Sequence, residues 1–306
     1  MVFVLQRESL EMNSYFYKQQ KCILCGSANI FNIKGYESNH LVKCKKCDLI
    51  FVSRIPTNEE LLNYYNNYAQ TEEVYFSEIT KRRYLVLLDE FQSYRKTNRI
   101  LDIGCGKGYF LEIAKENGWE VYGTDISFSN AKNGLRRGIN IINSELKNEM
   151  FVDSFFDVIT SFEVIEHINN PQKEIGLIKK YLRKGGLFYC TTPNINSLAR
   201  FWLKNSYSVF VYPEHLSFYS RKTLKRLLLD NKFISKGIQT TGFSLARMKS
   251  SKIINNKDIS GVSSIDERTR SLFEKNLFLR GFKNFLNGIL NITGTGITIK
   301  GYFIKS

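Results

Sequence analysis

The sequence lacks any apolar run that approaches the length needed to span a membrane. Its first five residues are too short for the apolar core of a signal peptide, and polar residues follow them directly. We therefore expect the chain to work in the cytoplasm. In that reducing compartment disulfides are rare, and cysteine thiolates are free to bind metal.

Acidic residues are fewer than basic ones: the chain has 29 Asp and Glu residues and 44 Lys and Arg residues, which gives a formal net charge of +15. A positive field attracts nucleic acids and anionic membranes. The basic residues are, however, scattered along the sequence and form no stripe. This distribution favours an ordinary solvated surface, so nucleic acid is not an expected partner.

The length of 306 residues exceeds that of a typical single domain, and hydrophobic residues make up 43% of the chain. These values allow a sizeable core. We expect one catalytic domain with a smaller appendage.

A glycine-rich turn, G-C-G-K-G at residues 104–108, follows an apolar run. A strand that ends in such a turn and opens a helix can bind a nucleoside-bearing cofactor, because glycines let the backbone approach a ligand closely and the first helical N–H groups face its anionic part. Asp125 lies seventeen residues beyond Gly108, at the end of a second strand-like run. A carboxylate there can accept hydrogen bonds from both hydroxyls of a ribose.

The spacing of this turn argues against two common nucleotide motifs. A dinucleotide fingerprint needs a third small residue where Tyr109 stands, and the chain has no G-x-x-x-x-G-K-[ST] phosphate loop at the turn. The turn instead resembles motif I of the class I S-adenosylmethionine-dependent methyltransferases. That resemblance implies that the glycines hold the methionine part of the cofactor and that Asp125 holds its ribose.

A second segment extends the resemblance. After the apolar run 156–161 come F-E-V-I-E-H at residues 162–167, a helix that begins at Pro171, an L-R-K-G-G turn and a strand that ends in T-T-P-N. This order resembles the branch that includes quinone-biosynthetic and sugar methyltransferases, over about residues 80–240 and the last dozen residues. By that analogy residues 143–146 border the adenine. The implied cofactor site comprises Asp102, Gly104, Gly106, Gly108, Asp125, Ile126, Glu145, Leu146, Phe162 and Glu163.

Alternating strands and helices predict an α/β fold with a doubly wound, mostly parallel sheet. The resemblance implies seven strands in a Rossmann-like methyltransferase sheet, of which the last is antiparallel. Helices are predicted over residues 109–117, 129–137 and 220–231 and after Pro171, and strands over 119–124, 139–142, 156–161, 187–192 and 233–240, with a closing pair at 297–300 and 302–305.

Four cysteines form two C-x-x-C pairs, Cys22 with Cys25 and Cys44 with Cys47, with eighteen residues between the pairs. This is zinc-ribbon spacing, in which each pair supplies two thiolates to a closed, tetrahedral, structural Zn²⁺ site. Such a site can fold a segment too small to build its own core. Four unrelated thiols are the alternative, and His40 is a competing candidate ligand.

Open α/β sheets place their ligands beyond the carboxyl ends of the strands, which points to residues 194–219 as the acceptor loop. This aromatic segment contains Tyr212, Glu214 and His215. Methyl transfer to a hydroxyl needs a base to take its proton, and histidine titrates near neutral pH. We favour His215 as the base, with Glu214 to orient it. His167 is the competitor, and a purely structural role for either histidine stays open.

The cysteine segment together with Tyr212-x-Glu214-His215 resembles the deoxysugar C-methyltransferases of antibiotic pathways. Those enzymes carry a sizeable additional C-terminal domain, whereas this sequence ends at Ser306, directly after the expected last strand. We therefore expect methyl transfer to a small-molecule acceptor, above all a hydroxyl of a sugar, glycan or lipid-linked intermediate. A deoxysugar carbon, an RNA substrate and a cofactor-binding module without catalysis remain as alternatives.

The expected organisation is a zinc ribbon over residues 1–52, a helical lid or linker over 53–97 and the methyltransferase domain over 98–306, with a mobile loop and an amphipathic helix inserted at 244–292. The lid begins with a capping box at Thr57 and Glu60, which opens a tyrosine-rich helix, and a second helix covers about residues 77–95. Residues 272–290 carry apolar side chains at helical spacing. A stripe packed on the domain is favoured there over contact with a membrane surface.

Overall fold

The computed structural model describes residues 17–57, 60, 77–204, 207, 209–242 and 277–306. The N-terminal part contains five short strands, β1 (Tyr17–Lys18), β2 (Ile30–Asn32), β3 (Leu41–Cys44), β4 (Ile50–Val52) and β5 (Arg54–Ile55). The rest of the described chain alternates helices and strands. These are α1 (Glu78–Phe91), β6 (Arg99–Ile103), α2 (Tyr109–Glu116), β7 (Glu120–Asp125), α3 (Phe128–Arg136), β8 (Ile141–Asn143), β9 (Phe156–Phe162), α4 (Pro171–Tyr181), β10 (Leu182–Pro193), α5 (Leu198–Leu203), β11 (Ser217–Phe218), α6 (Arg221–Asp230), β12 (Phe233–Thr241), α7 (Leu277–Thr293) and β13 (Thr298–Lys305).

Seven of these strands form one sheet in the order β12-β13-β10-β9-β6-β7-β8. Strands β10, β9, β6, β7 and β8 run parallel, whereas β13 pairs antiparallel with both β10 and β12. The predicted doubly wound, seven-stranded and mostly parallel sheet is confirmed.

Strand β6 shows why helices cover both faces of this sheet. Successive side chains of a strand point to opposite faces. Ile100 packs in the cluster that holds the buried residues of α1, α2 and α3. Leu101 packs in the cluster that holds those of α4 and α6. Ile100 and Leu101 are both fully buried, so β6 is covered on both faces, as central strands of a parallel sheet are.

A buried carboxylate fixes the start of β6 against its neighbours. One oxygen of Asp157, on β9, accepts hydrogen bonds from the backbone N–H groups of residues 96–98, at 2.6 to 2.7 Å. The other accepts from Nε of Arg183, on β10. Burial on its own would raise the pKa of Asp157, but Arg183 and the three amides lower it below its ordinary value. The Asp157 carboxylate thus ties three adjacent strands together at their starting edge.

A second, smaller sheet joins the N-terminal segment to the predicted acceptor loop. Its strand order is β11-β4-β3-β2, and β11 pairs antiparallel with β4, with Ser217 opposite Phe51. Leu49 and Phe51 also belong to the same buried cluster as α4 and α6. The cysteine-containing segment therefore packs directly on α4 and α6. The domain boundaries at residues 52 and 97 stay predictions.

Several elements differ at their ends from the sequence predictions. The two strands predicted at the end of the chain form one continuous strand, β13. Gly301 lies between them, where a side chain would come too close to Cys190 and the ring of Phe303. Strand β10 begins at Leu182, and its register with β9 shifts across the segment predicted as a turn. Strand β8 begins two residues later than expected, at Ile141.

The predicted lid is described only in part. The capping box is present, because Glu60 Oε2 accepts a hydrogen bond from Thr57 N at 2.8 Å and Thr57 Oγ1 accepts one from Glu60 N at 3.1 Å. The tyrosine-rich helix after it lies outside the described residues, as does the predicted loop at 244–271. The second helix is α1, which begins at a Ser77 cap and ends at Phe91.

Helix α7 exposes the apolar side chains that the sequence pattern favours as packed on the domain. Phe278, Phe282, Phe285 and Ile289 are 81%, 49%, 65% and 43% exposed, whereas Leu290 is buried. Among the described residues, the expectation of packing is therefore wrong for these four. Helix α7 contacts β12 around Leu290, whose carbonyl oxygen accepts a hydrogen bond from Thr240 Oγ1. Contact with a membrane surface stays a prediction. No helix among the described residues is long and apolar enough to cross a membrane.

Candidate active site

The carboxyl ends of β9, β6 and β7 lie side by side at one edge of the sheet. Ile103, the last residue of β6, stands opposite Ser161 of β9 and Thr124 of β7. The glycine turn, Phe162 and Asp125 each follow one of these positions. The register therefore brings together three parts of the predicted cofactor site that are distant in sequence.

The glycine turn has the backbone geometry that makes glycine necessary. Gly104, Gly106 and Gly108 have φ values of 63°, 54° and 76°, in the left-handed region. A Cβ atom on Gly104 would lie 2.5 Å from Cγ2 of Val164, so Gly104 permits close packing against the chain after β9. A Cβ on Gly106 would meet nothing within 4 Å, so this part of the turn faces open space.

Asp125 lies directly beside the turn, and most of the hydrogen-bond acceptor positions of its carboxylate are occupied. Its Oδ2 atom accepts a hydrogen bond from Gly106 N at 2.8 Å, and Oδ1 accepts from Ser127 N at 2.8 Å and from Nδ2 of Asn130 at 3.1 Å. A carboxylate has about four acceptor positions. One position therefore remains for a ribose hydroxyl, and the predicted contact with both hydroxyls requires the Asn130 amide to move.

Asp102 is a buried carboxyl beneath the turn. Its Oδ1 atom accepts a hydrogen bond from Thr160 Oγ1 at 2.7 Å, and the residue is 2% exposed. Burial, with a smaller contribution from the nearby Asp125 carboxylate, raises its pKa to about 8, although the Thr160 hydrogen bond acts to lower it. Asp102 is therefore held mostly in its neutral form at neutral pH.

The other predicted cofactor residues surround the same edge. Ile126 is 62% exposed beside Asp125, whereas Leu146 is buried and Glu145 is exposed. Phe162 packs between the rings of Phe110 and Tyr84, with centroid distances of 5.0 and 5.8 Å. Glu163 has a positive φ of 53°, and its N–H donates to Thr191 O at 3.0 Å. A non-glycine residue in this region is strained, and such strain concentrates at functional sites.

Two histidines meet at the next position along the edge. The rings of His167 and His215 lie 4.8 Å apart between centroids. Nδ1 of His167 lies 2.9 Å from Glu214 O, and Nδ1 of His215 lies 2.7 Å from Val209 O. Because a carbonyl oxygen only accepts hydrogen bonds, each neutral ring carries its proton on Nδ1 and has a lone pair on Nε2. Burial, together with His167, lowers the pKa of His215.

Glu166 completes this cluster, and the sequence analysis did not single it out. It is 2% exposed, and its Oε2 atom accepts a hydrogen bond from Thr192 Oγ1 at 2.8 Å. Its Oε1 atom is buried with no hydrogen-bond partner among the described residues and lies 3.9 Å from Nε2 of His167. Burial, with the Glu163 charge second, raises the pKa of Glu166 well above its ordinary value. Its position in E-V-I-E-H, beside His167 and three residues after Glu163, was the available signal.

Tyr212 lies apart from the histidine pair and faces the N-terminal segment. Nη1 of Arg54 donates to its hydroxyl at 2.6 Å, and the His40 ring packs edge-on against its ring at 5.1 Å. Of the four predicted catalytic residues, His167 and His215 are therefore in ring contact, and Glu214 joins them through its backbone carbonyl. Arg54 also forms an ion pair with Glu60 at 2.6 Å. Both residues belong to the predicted lid, so Arg54 connects the lid to the acceptor loop through the Tyr212 hydroxyl.

The four N-terminal cysteines come together as the spacing predicts. Their Sγ atoms all lie within 4.8 Å of one another, with 3.4 Å between Cys22 and Cys47 and 3.6 Å between Cys25 and Cys44. Thiolates around a tetrahedral Zn²⁺ with bonds of about 2.3 Å stand about 3.8 Å apart, so the arrangement fits this ion. His40 is not part of the group.

Three comparisons place this geometry among known proteins. Residues 75–233 match a family model described as a methyltransferase domain. The chain is 31% identical over 112 residues to the ubiquinone biosynthesis O-methyltransferase of Idiomarina loihiensis, which covers 34% of this chain and 45% of that protein. The enzyme of the same name from Ruegeria sp. is 34% identical over 104 residues, or 32% of this chain and 42% of that protein. The chain thus matches less than half the length of these curated relatives.

A solved structure gives the same result for the fold. The crystal structure of a SAM-dependent methyltransferase from Archaeoglobus fulgidus has a TM-score of 0.53 and 23% identity, and it covers 79% of this chain and 100% of that chain. At this identity the likeness concerns the fold alone.

In the absence of cofactor, we expect the free energy of unfolding of Asp102→Asn to rise relative to that of the parent as the pH increases. The pKa of Asp102 is about 8 in the folded protein, whereas an aspartic acid in an unfolded chain titrates near ~3.9. The unfolded state therefore loses its proton first, and the parent loses up to about 1.4 kcal/mol of unfolding free energy per pH unit between these values. Asparagine has no proton to lose there.

Urea unfolding at pH 5 and pH 7 measures this effect, with the exposed Asp153→Asn as the matched control. The free-energy difference between Asp102→Asn and the parent should be larger at pH 7 than at pH 5. An equal difference at the two pH values would show that Asp102 is not held neutral.

Proposed function

This chain belongs to the methyltransferase domain family, and we propose that it transfers a methyl group from S-adenosylmethionine to a hydroxyl of a small-molecule acceptor. The observation that carries the proposal is the adjacency of the open glycine turn and the Asp125 carboxylate. The names of the curated relatives, O-methyltransferases, support oxygen as the methylated atom. A hydroxyl of a sugar, glycan or lipid-linked intermediate is the acceptor that we propose.

The residues at this edge fit S-adenosylmethionine. Gly106 leaves open space where the backbone would meet the cofactor, and Asp125 retains an acceptor position for its ribose. The exposed side chain of Ile126 and the partly exposed ring of Phe162 offer apolar surface on either side. The remaining cofactor residues that we propose are Asp102, Gly104, Gly108, Glu145, Leu146 and Glu163.

The acceptor would bind next to the histidine pair. S-adenosylmethionine supplies an electrophilic methyl group on a sulfonium, so the protein has to align the acceptor oxygen with it and to remove the hydroxyl proton. The Nε2 lone pairs of His167 and His215 are the groups that we propose for the proton. His215 is preferred because burial lowers its pKa and keeps the ring neutral. Glu214 supports the pair through its carbonyl, and the hydroxyl of Tyr212, also in the acceptor loop, accepts a hydrogen bond from Arg54.

The aromatic side chains of α5, which lies within the predicted acceptor loop, offer an apolar surface. Phe201 and Trp202 are 59% and 76% exposed. Aromatic faces stack on sugars and on planar rings alike, and they bury large areas with little loss of side-chain freedom. This surface would contact parts of the acceptor beyond the hydroxyl that receives the methyl group.

We also propose that Cys22, Cys25, Cys44 and Cys47 hold a structural Zn²⁺. Four thiolates leave no open position for chemistry, which suits a structural role. The segment they would fold, residues 1–52, supplies strand β4, on which β11 of the acceptor loop pairs. Residues 53–97 would form a lid over the cofactor, supported by the packing of Tyr84 of α1 against Phe162. Residues 98–306 would form the methyltransferase domain, with an insertion at 244–292.

We expect Asp125→Ala to raise the KM for S-adenosylmethionine about 10- to 100-fold, because hydrogen bonds to a charged group contribute about 1.5–3 kcal/mol. The assay is release of S-adenosylhomocysteine with a panel of a catechol, methyl glucoside and a nucleotide sugar. The exposed Asp153→Ala should leave the KM unchanged. No release with any acceptor class, or an unchanged KM in Asp125→Ala, would count against the proposal.

We expect Cys44→Ser to lower the bound zinc and the kcat together, while the KM for S-adenosylmethionine stays near that of the parent. The reason is that β3 and β4 lose their metal anchor, whereas the glycine turn lies on another sheet. Elemental analysis by mass spectrometry measures zinc per chain. Cys190→Ala, which removes a buried thiol outside the cluster, is the matched control and should keep its zinc. Equal zinc in both variants would refute the four-thiolate site.

A further inference from the structure

Three side chains at the acceptor edge have the composition of a metal site. One carboxylate oxygen of Glu166 and one ring nitrogen from each of His167 and His215 all lie within 4.8 Å of one another. These residues come from two separate parts of the chain. They are joined by a backbone hydrogen bond from Leu216 N to Glu166 O at 2.8 Å. The group is distinct from the four-cysteine cluster.

The outer contacts of both histidines leave Nε2 as the free nitrogen. Nδ1 of His167 donates to Glu214 O and Nδ1 of His215 donates to Val209 O. A histidine that binds a metal almost always donates its other ring N–H to a carbonyl or carboxylate, which fixes the tautomer and the ring orientation. Both rings already have this arrangement.

The third ligand is a buried oxygen that needs a partner. Glu166 Oε2 is satisfied by Thr192, whereas Oε1 is inaccessible and has no hydrogen-bond partner among the described residues. Its distance of 3.9 Å to Nε2 of His167 is too long for a hydrogen bond. Ligand atoms around a tetrahedral metal with bonds of about 2.0 Å stand about 3.3 Å apart. Metal binding would bring Glu166 Oε1 and His167 Nε2 closer by about 0.6 Å, and the widest pair of the group, at most 4.8 Å apart, closer by up to about 1.5 Å.

We propose that Glu166, His167 and His215 bind a divalent transition-metal ion at the acceptor edge. Two imidazoles and one carboxylate suit Mn²⁺, Fe²⁺, Co²⁺ or Zn²⁺ better than Mg²⁺ or Ca²⁺, which prefer oxygen ligands alone. Three protein ligands leave open coordination positions, in contrast to the closed shell of four thiolates.

The role that we infer for the ion rests on the proposed function. The acceptor oxygen would fill an open position, and the ion would lower the pKa of the hydroxyl, as it does for bound water. The hydroxyl proton leaves to solvent. The oxygen then bonds to the methyl carbon, and the carbon–sulfur bond breaks with its electron pair left on sulfur. In this state His215 is a ligand rather than the base. Two adjacent hydroxyls, as in a catechol or a sugar diol, could bind the ion together.

The test uses Mn²⁺ as the probe, because Mn²⁺ avoids thiolates and leaves the cysteine site to zinc. The full chain is dialysed against a carboxylate chelator, its zinc content is verified, and free Mn²⁺ is counted by electron paramagnetic resonance during titration. We expect one Mn²⁺ per chain for the parent and at least about tenfold weaker binding for Glu166→Gln and His215→Gln. The control variants Glu116→Gln, on an exposed surface, and His40→Gln should bind as the parent does.

Circular dichroism and binding of S-adenosylhomocysteine show whether each variant is folded. Glu166→Gln keeps the size of the side chain and an oxygen that can accept the hydrogen bond from Thr192, so we expect it to fold. A parent chain that binds no Mn²⁺, or a folded Glu166→Gln that binds it as the parent does, overturns the inference.

Activity assays separate this inference from the proposed function. If Mn²⁺ binds but no acceptor yields S-adenosylhomocysteine, the proposed function fails and the metal site stands. If methyl transfer runs at the same rate with and without Mn²⁺, and Glu166→Gln does not lower it, the role of the ion fails and the proposed function stands. If methyl transfer is observed, a catechol and a sugar diol are compared as the two sources of adjacent hydroxyls. Mn²⁺ should increase the rate of methyl transfer to a monophenol less than to either of them.

Discussion

The register of β9 between β6 and β10 is the constraint on which the rest of the site depends. Ser161 stands opposite Ile103 on one side and Cys190 on the other. The glycine turn therefore lies to one side of the chain after β9, and Thr192 of β10 lies to the other. The segment between them carries Glu163 and Glu166. A shift of one residue would turn each side chain to the opposite face of the sheet, and the cofactor edge and the acceptor cluster would no longer meet.

A second sheet extends this arrangement to the N-terminal segment. Strand β11 pairs with β4, and the next residue toward the active site, Leu216, donates its N–H to Glu166 O. Arg54 holds the Tyr212 hydroxyl from the same segment. Backbone hydrogen bonds through β4, β11 and Leu216 therefore connect the segment of the proposed zinc site to the histidine pair. This connection links the cysteine segment physically to the backbone beside the histidine pair.

The sequence predicts the cofactor edge well because its determinants are local. A glycine turn, an acidic residue at the next strand end and a cysteine spacing each lie within a short stretch, and the structure brings them together as expected. The sequence analysis did not single out Glu166 because its properties depend on distant residues: Thr192 donates a hydrogen bond to one carboxylate oxygen, and burial leaves the other without a partner in the described part of the chain. The pairing of β11 with β4 was also beyond prediction, since a strand of two residues has no periodicity. The exposed face of α7 shows that an apolar stripe does not by itself identify what covers it.

The central claim is that the pocket at the glycine turn holds S-adenosylmethionine. Calorimetric titration of the zinc-loaded chain with S-adenosylhomocysteine tests this claim most directly, because it needs no knowledge of the acceptor. The account predicts saturable binding of one molecule per chain that an excess of NAD⁺ or ATP does not displace. An absence of heat, or displacement by either of those nucleotides, would contradict it.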